Sequence, residues 1–226
     1  MIKIEGLYKS YGTKEVLRNI NIEFSRGKIY GIIGENGAGK TTLFRCIAGL
    51  ENYRGEISSD VKPLKNHLGF LPADLFFFQK ITGREYIRLL CNARDMKIAD
   101  IDGSNIFDLP LDQYVTTYST GMKKKLALLA VLLQRNECFM LDEPFNGIDI
   151  NGSIMLTEIL LKLKQLNKTV ILSSHIFSTL SDTCDEIHIL RNGEFVEIVE
   201  REYFDRLESQ MRQSAVIERI GKLELK

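Results

Sequence analysis

Residues 28–47 read KIYGIIGENGAGKTTLFRCI, and the fold is decided by how this stretch is read. An apolar, β-prone run from Ile29 to Ile33 meets a glycine-rich turn, and a helical pattern begins at Leu43. The turn fits G-x-x-x-x-G-K-[ST], with Gly34, Gly39, Lys40 and Thr41 at the fixed positions. Gly34, Gly37 and Gly39 let the backbone turn tightly and come close to a ligand. The amides of such a loop, at the start of a helix, converge into an anion-binding nest. Lys40 can reach the β- and γ-phosphates of a nucleotide as a point charge. The Thr41 hydroxyl can ligate Mg²⁺, which keeps most of its other ligands as water and phosphate oxygen. The pattern could arise by chance in an ordinary loop, but here a strand precedes it and a helix follows, as phosphate binding requires.

A second signal is CFMLDEP at 138–144. Four apolar residues, two carboxylates and a helix-incompatible proline describe a buried parallel strand that ends in acid. In open α/β sheets ligands bind beyond the carboxyl ends of the strands. Asp142 is therefore placed to hold Mg²⁺ through its water shell, as the acidic partner of the lysine loop. Glu143 is placed to polarise a water for in-line attack on the γ-phosphate. A third apolar run, Thr169 to Leu172, ends in Ser173-Ser174-His175. His175 reads either as a structural histidine or as a sensor of the γ-phosphate beside the acidic strand, and the second reading is favoured.

Bulk properties narrow the class. The chain has 226 residues, 44% apolar and 27% charged, with formal net charge zero. That is globular composition for one domain, or one domain with a subdomain. It carries no basic field to draw it onto nucleic acid. The longest uncharged apolar stretch, Leu126 to Leu133, is far below the roughly 18–20 residues of a membrane span, and the charged start MIKIE does not fit a signal peptide. Cysteines at 46, 91, 138 and 184 form no C-x-x-C pair and suit buried positions in a reducing cytosol.

Elsewhere, Ile2–Glu5 and Ile20–Phe24 alternate with period two and predict strands. Tyr11, near Gly12, could stack on a base or simply pack at a turn. Gly55–Ile57 and His67–Leu71 predict strands, the second broken by Pro72. Leu75–Phe78 is a dense apolar cluster, either core or a surface for a protein partner. Thr82–Glu85 predicts a capping box with a helix to about Ala93. Residues 95 to 117 read as short helical turns and loops. Ser119 caps a helix over Met122–Gln134, with cap amides that again offer an anion site, and Lys123–Lys125 near its start read as a solvated face. Asn146–Asp149 predicts a tight turn before a helix over Gly152–Leu166. Arg191-Asn192-Gly193 predicts a hairpin, and residues 200–226 read as charged and helical.

Taken together, these motifs resemble the nucleotide-binding subunit of an ABC transporter over residues 1 to about 200. Tyr11-Gly12 resembles the adenine-stacking loop, and Gly34–Thr42 the Walker A motif. YSTGM at 118–122 stands where the signature LSGGQ belongs, and Cys138–Glu143 resembles Walker B with its glutamate. Gly147-Ile148-Asp149 resembles the D-loop and His175 the switch histidine. Thr120 replaces a signature glycine and Met122 the glutamine; the YSxGM form resembles ATPases of bacterial ABC-2-type exporters. Ala73 stands where the family has a glutamine, and Asp74 is read as its substitute through a water. The helical region between Pro72 and Tyr118 is short for the family.

The resemblance implies an α/β P-loop NTPase with a mainly parallel sheet core, an N-terminal antiparallel β subdomain and a small α-helical subdomain at about 73–134; beyond it, residues 201–226 read as a helical tail. It implies ATP and Mg²⁺ as ligands. The implied nucleotide contacts are Tyr11, Val16, the loop Gly34, Glu35, Asn36, Gly37, Ala38, Gly39, Lys40, Thr41 and Thr42, with Asp149, and, from the facing subunit, Ser119 and Gly121. Glu143, His175 and Lys40 are the implied catalytic groups; Thr41, Asp142 and Asp74 are implied at the metal. The implied partners are a membrane permease and a second ATPase subunit, identical or different, with the chain peripheral on the cytoplasmic face and neither inserted in the membrane nor bound to nucleic acid. Two other readings stay open: a soluble ABC-type ATPase that remodels a protein or nucleoprotein assembly, and a non-catalytic nucleotide-binding regulatory subunit.

Overall fold

The computed structural model describes residues 1–215, with side chains described through residue 210. In chain order its elements are β1 (Ile2–Tyr11), β2 (Lys14–Phe24), β3 (Ile29–Ile33), α1 (Lys40–Ile47), β4 (Arg54–Ser59), β5 (Leu68–Leu71), α2 (Gly83–Asn92), α3 (Thr120–Leu133), β6 (Cys138–Asp142), α4 (Ile150–Gln165), β7 (Thr169–Ser174), the short α5 (Ser178–Ser181), β8 (Glu186–Arg191), β9 (Glu194–Glu200) and α6 (Phe204–Ala215). Six strands form the main sheet in the order β5-β6-β7-β3-β8-β9. All its pairings are parallel except β8 with the edge strand β9. A second, antiparallel sheet has the order β2-β1-β4. Tyr8 and Tyr11 fall inside β1, and the turn comes at Gly12, whose φ is 57°.

Burial on both faces makes the central strands continuous apolar runs, and the side chains sort by alternation. Ile29 and Ile33 of β3, with Phe139, Leu141, Val170 and Leu172, face a core shared with α3 and α4. Tyr30 and Ile32, with Met140 and Ile171, face Leu43, Phe44 and Ile47 of α1 and the inner side of the antiparallel sheet. A third core gathers Ile87 and Cys91 of α2 with Leu111, Val115 and Tyr118. α3 belongs to two cores at once. Leu128 and Val131 pack on the sheet, while Leu126 and Leu129 pack in the α2 cluster, so this helix holds the two together.

The cluster at 75–78 divides between its two readings. Leu75 and Phe77 pack against the core, whereas Phe76 and Phe78 are exposed and meet edge to face, 5.4 Å between ring centroids. Phe204 and Leu207 dock the start of α6 on the main core; the rest of the expected helical tail, residues 216–226, lies outside the described residues. The four cysteines are free and buried. Burial pushes the Cys46 thiol up to about 11 and that of Cys184 to about 12, which suits packing rather than nucleophilic or metal chemistry.

The capping box of α2 forms as its sequence predicts. Thr82 Oγ1 accepts from the Glu85 amide, and the Glu85 carboxylate accepts from the Thr82 amide. Thr82→Ala is expected to cost about 1 kcal/mol, seen as a lower urea midpoint at unchanged m-value.

Candidate active site

Each helix from α2 to α4 is capped by its own side chain: Thr82, Ser119 and Asp149. α1 is not. Its N-cap is Gly39, at φ 113°, with no side chain to offer. The amides of its first turn are therefore open to an external anion. Gly34 is required by close approach, since a Cβ there would lie 2.5 Å from the Leu190 carbonyl oxygen. The loop is tied down by the Ala38 amide donating to Glu35 O (3.1 Å) and the Gly193 amide to Ala38 O (3.1 Å). The buried Lys40 folds along it. Its ammonium donates to Gly34 O (2.6 Å) and Glu35 O (3.3 Å) and lies 3.6 Å from Glu143 Oε1.

The acid comes from the neighbouring strands. β6 delivers Asp142, fully buried, to the carboxyl end of the sheet. A carboxylate buried without partners would cost several kcal/mol; here two hydroxyls satisfy it. Thr41 Oγ1 donates to Oδ2 at 2.6 Å, and Ser173 Oγ donates to Oδ1. Ser173 also accepts from the Glu143 amide (2.9 Å). The sequence reading assigned no role to Ser173. Its signal was the parallel register that sets Asp142 opposite Ser173.

Glu143 leaves the strand with φ 49°, a left-handed conformation that turns its carboxylate back over Lys40. Oε2 accepts from Asn146 Nδ2 (3.3 Å) and lies 3.0 Å from His175 Nδ1. His175 is thus brought to the acidic strand as expected, as a partner of the glutamate.

The phosphate loop walls a cleft of about 370 Å³ whose lining also includes Val16 and Glu143. Lys14 and Ala73 join them; of these two, Lys14 was missed by sequence reasoning. The oxygen set at its base, a threonine hydroxyl and one carboxylate, fits a hard divalent cation that draws its remaining ligands from water and phosphate. No group of three or more His, Cys, Asp or Glu that could hold a metal occurs among the described residues.

Other expected residues stand outside this lining. Tyr11 is exposed, with the Lys9 ammonium 4.6 Å from its ring centroid. Asp74 is exposed on the segment after β5, next to Ala73. Ser119 Oγ accepts from the Met122 amide at the start of α3. Asp149 accepts from the Gly152 amide and pairs with Lys125 (2.6 Å).

The expectation of a solvated lysine face at 123–125 is wrong for two of the three. Lys124 is buried and donates to the Glu143 carbonyl oxygen at 2.8 Å. Burial pushes its ammonium down, opposed by the carboxylates of Asp142, Glu143 and Asp74. Lys125 is occupied by Asp149. α3 turns this face toward the loop after β6, so charge that reads as surface is used inside.

A cleft with an uncapped helix start, a buried lysine and a carboxylate at a strand end belongs to many nucleotide-binding proteins. The profile of the ABC transporter family matches residues 17–146, more than half of the chain. The chain belongs to this family. It is 31% identical to the uncharacterized ABC transporter ATP-binding protein MJ1023 of Methanocaldococcus jannaschii, over 98% of this chain and 84% of that one. It is 32% identical to the bacitracin transport ATP-binding protein BcrA of Bacillus licheniformis, over 94% and 72%. Among solved structures, the ATP-binding subunit of an ABC transporter superposes with a TM-score of 0.80 at 25% identity, covering 96% of this chain and 97% of that one. This ABC protein is accordingly of the ATP-binding, ATP-hydrolysing kind, and its fold is the P-loop α/β architecture with an added antiparallel sheet.

Proposed function

We propose that this ABC ATPase powers an exporter, closing on ATP together with a second cassette and reopening after cleavage. One observation carries the reading. Lys40, Thr41 and Glu143 line one cleft, with the buried Asp142 bonded to Thr41 behind it, while the turn of Ser119 and Gly121 and the cap residue Asp149 lie outside its lining. Their place is then on the nucleotide of a facing cassette. Two helix N-termini neutralise a triphosphate better than one.

In this reading the loop amides and Lys40 hold the β- and γ-phosphates, and adenine stacks on Tyr11 beside Val16. Thr41 and Asp142 would hold Mg²⁺, which would screen the phosphate charge. Glu143 accepts a proton from the attacking water, an oxygen–phosphorus bond forms, and the bond to the leaving ADP oxygen breaks with its electron pair. His175 and Asn146 orient the Glu143 carboxylate during that transfer. Loss of the γ-phosphate removes the differential contact that holds the cassettes closed, and the opening is passed to a permease. No helix among the described residues is long and apolar enough to cross a membrane. In this reading the permease is a partner subunit, and the ATPase is peripheral on its cytoplasmic face. Phe76 and Phe78 beside Ala73 offer an apolar contact for it. The bacitracin-transport relative supports transport as the use of the ATP, and the YSxGM signature, which resembles that of ABC-2-type exporters, supports the outward direction.

Asp74 substitutes, through a water, for the glutamine that Ala73 replaces. Asp74→Ala is expected to lower Mg²⁺-dependent turnover by about threefold, or roughly 0.7 kcal/mol of barrier; unchanged phosphate release would remove Asp74 from the site.

The test of the composite site uses tagged Glu143→Gln chain isolated from its own cells. With ATP it is expected to retain a second cassette, an untagged copy or a sister chain, and to lose it in ADP. Recovery of the same cassette pair regardless of nucleotide would remove ATP as the agent of closure.

A further inference from the structure

The start of α3 grips the loop after β6 at three points. Lys124 donates to the Glu143 carbonyl oxygen at 2.8 Å. Lys125 pairs with Asp149 Oδ1 at 2.6 Å. Between them Gly121 meets the Gly147 carbonyl so closely that a Cβ would lie 2.7 Å from its oxygen. The segment from Glu143 to Asp149 is therefore held to one helix at both ends and in the middle.

Lys124 is the unusual member. The residue is 4% exposed, and burying an ammonium is costly unless it is paired. An apolar residue of that volume would fill the space between α3 and β6 without the cost. What the lysine adds is a donor at a position that needs one. Glu143 is a non-glycine residue in the left-handed region, a conformation that persists only where its surroundings over-determine it. Pro144 follows and has no N–H to help fix the peptide. Among the described residues the Glu143 carbonyl otherwise accepts only a longer bond from the Asn146 amide (3.2 Å).

We propose that Lys124 is a positioning residue for Glu143, which fixes the catalytic carboxylate to the start of α3 so that it moves with the Ser119–Gly121 turn. The inference rests on the reading above that Glu143 is the base and that this turn serves the facing nucleotide. Each cassette then carries a rigid link between the turn it lends to the facing site and the base it uses at its own. A facing nucleotide that seats the turn also seats the base.

The test uses the full chain with Lys124→Met, which keeps the volume and removes the donor. The kcat for phosphate release is expected to fall about tenfold, the scale of one lost charge-assisted hydrogen bond. KM and the affinity for a fluorescent ATP analogue should stay within about twofold, since no phosphate contact is touched. In a Glu143→Gln background the same substitution should change residual turnover less than about twofold, because Lys124 acts through Glu143. Wild-type kcat in a folded Lys124→Met chain overturns the proposal, as does a matching loss of nucleotide affinity or an undiminished effect in the Glu143→Gln background. Should Lys124→Met fail to fold, Lys124→Leu, which also lacks a donor, carries the test: a fall in kcat with KM held supports the link, and unchanged kcat or a risen KM overturns it. Glu143→Gln hydrolysing at the wild-type rate would overturn the base assignment itself, whereas an inactive Glu143→Gln beside a fully active Lys124→Met would overturn the link alone.

Discussion

Glu143→Gln is expected to abolish turnover while leaving ATP bound. The substitution keeps the shape of the side chain and its place beside His175 and Asn146, but an amide cannot accept the proton of the attacking water. General-base catalysis contributes roughly 10²–10⁴-fold, and steady-state phosphate release should fall by that factor. ATP affinity should change by less than about threefold, because Lys40, Thr41 and the loop amides are untouched. Loss of a negative charge 3.6 Å from Lys40 frees that ammonium for phosphate. A variant that hydrolyses at a near wild-type rate would take the role of base from Glu143 and require another acceptor in the cleft.

Lys40→Ala should act at an earlier step, on binding itself. The ammonium is buried and now satisfied by two loop carbonyls, which a phosphate would replace at little reorganisation. Removing one partner of a desolvated charge pair costs about 2–5 kcal/mol, which corresponds to a Kd for ATP raised by roughly 30-fold to several thousand-fold. Titration calorimetry reads this directly. Thermal stability without nucleotide should change little, since Lys40 and Glu35 line the open cleft. A Kd within about threefold of wild type would show that the loop amides hold the phosphates alone.

The two substitutions separate the site into a part that binds and a part that reacts, and the two parts were unequally legible in the sequence. The phosphate loop is a local structure, in which glycines and one lysine act within a few residues of each other, so its pattern fixes its geometry. The strand ending at Asp142 was as plain, because an apolar run ending in acid has few uses. The doubly buried strands, the hairpin at Asn192–Gly193 and the capping box at Thr82 followed from the same short-range rules. What the sequence withheld depends on which elements become neighbours. Ser173 is one serine of a pair until β7 is set beside β6 and puts it opposite Asp142. Lys14 reaches the cleft only because the hairpin of β1 and β2 folds over the phosphate loop. Lys124 and Lys125 sit in a run of three that local reasoning places in solvent; α3 is buried in two cores, and that packing turns both toward the loop after β6. Phe76 and Phe78 divide from Leu75 and Phe77 by direction alone.

The central claim, that the work of this ATPase is transport, is tested most directly by what the chain holds in its own membranes. Tagged full-length chain is extracted with mild detergent in the presence of ATP, and the proteins retained with it are identified and quantified. The account predicts a polytopic membrane protein in near-equal amount, carrying no ATP site of its own. Recovery only from the soluble fraction, with ribosomes or an assembly scaffold attached, would leave the chemistry of the cleft standing and contradict transport as its purpose.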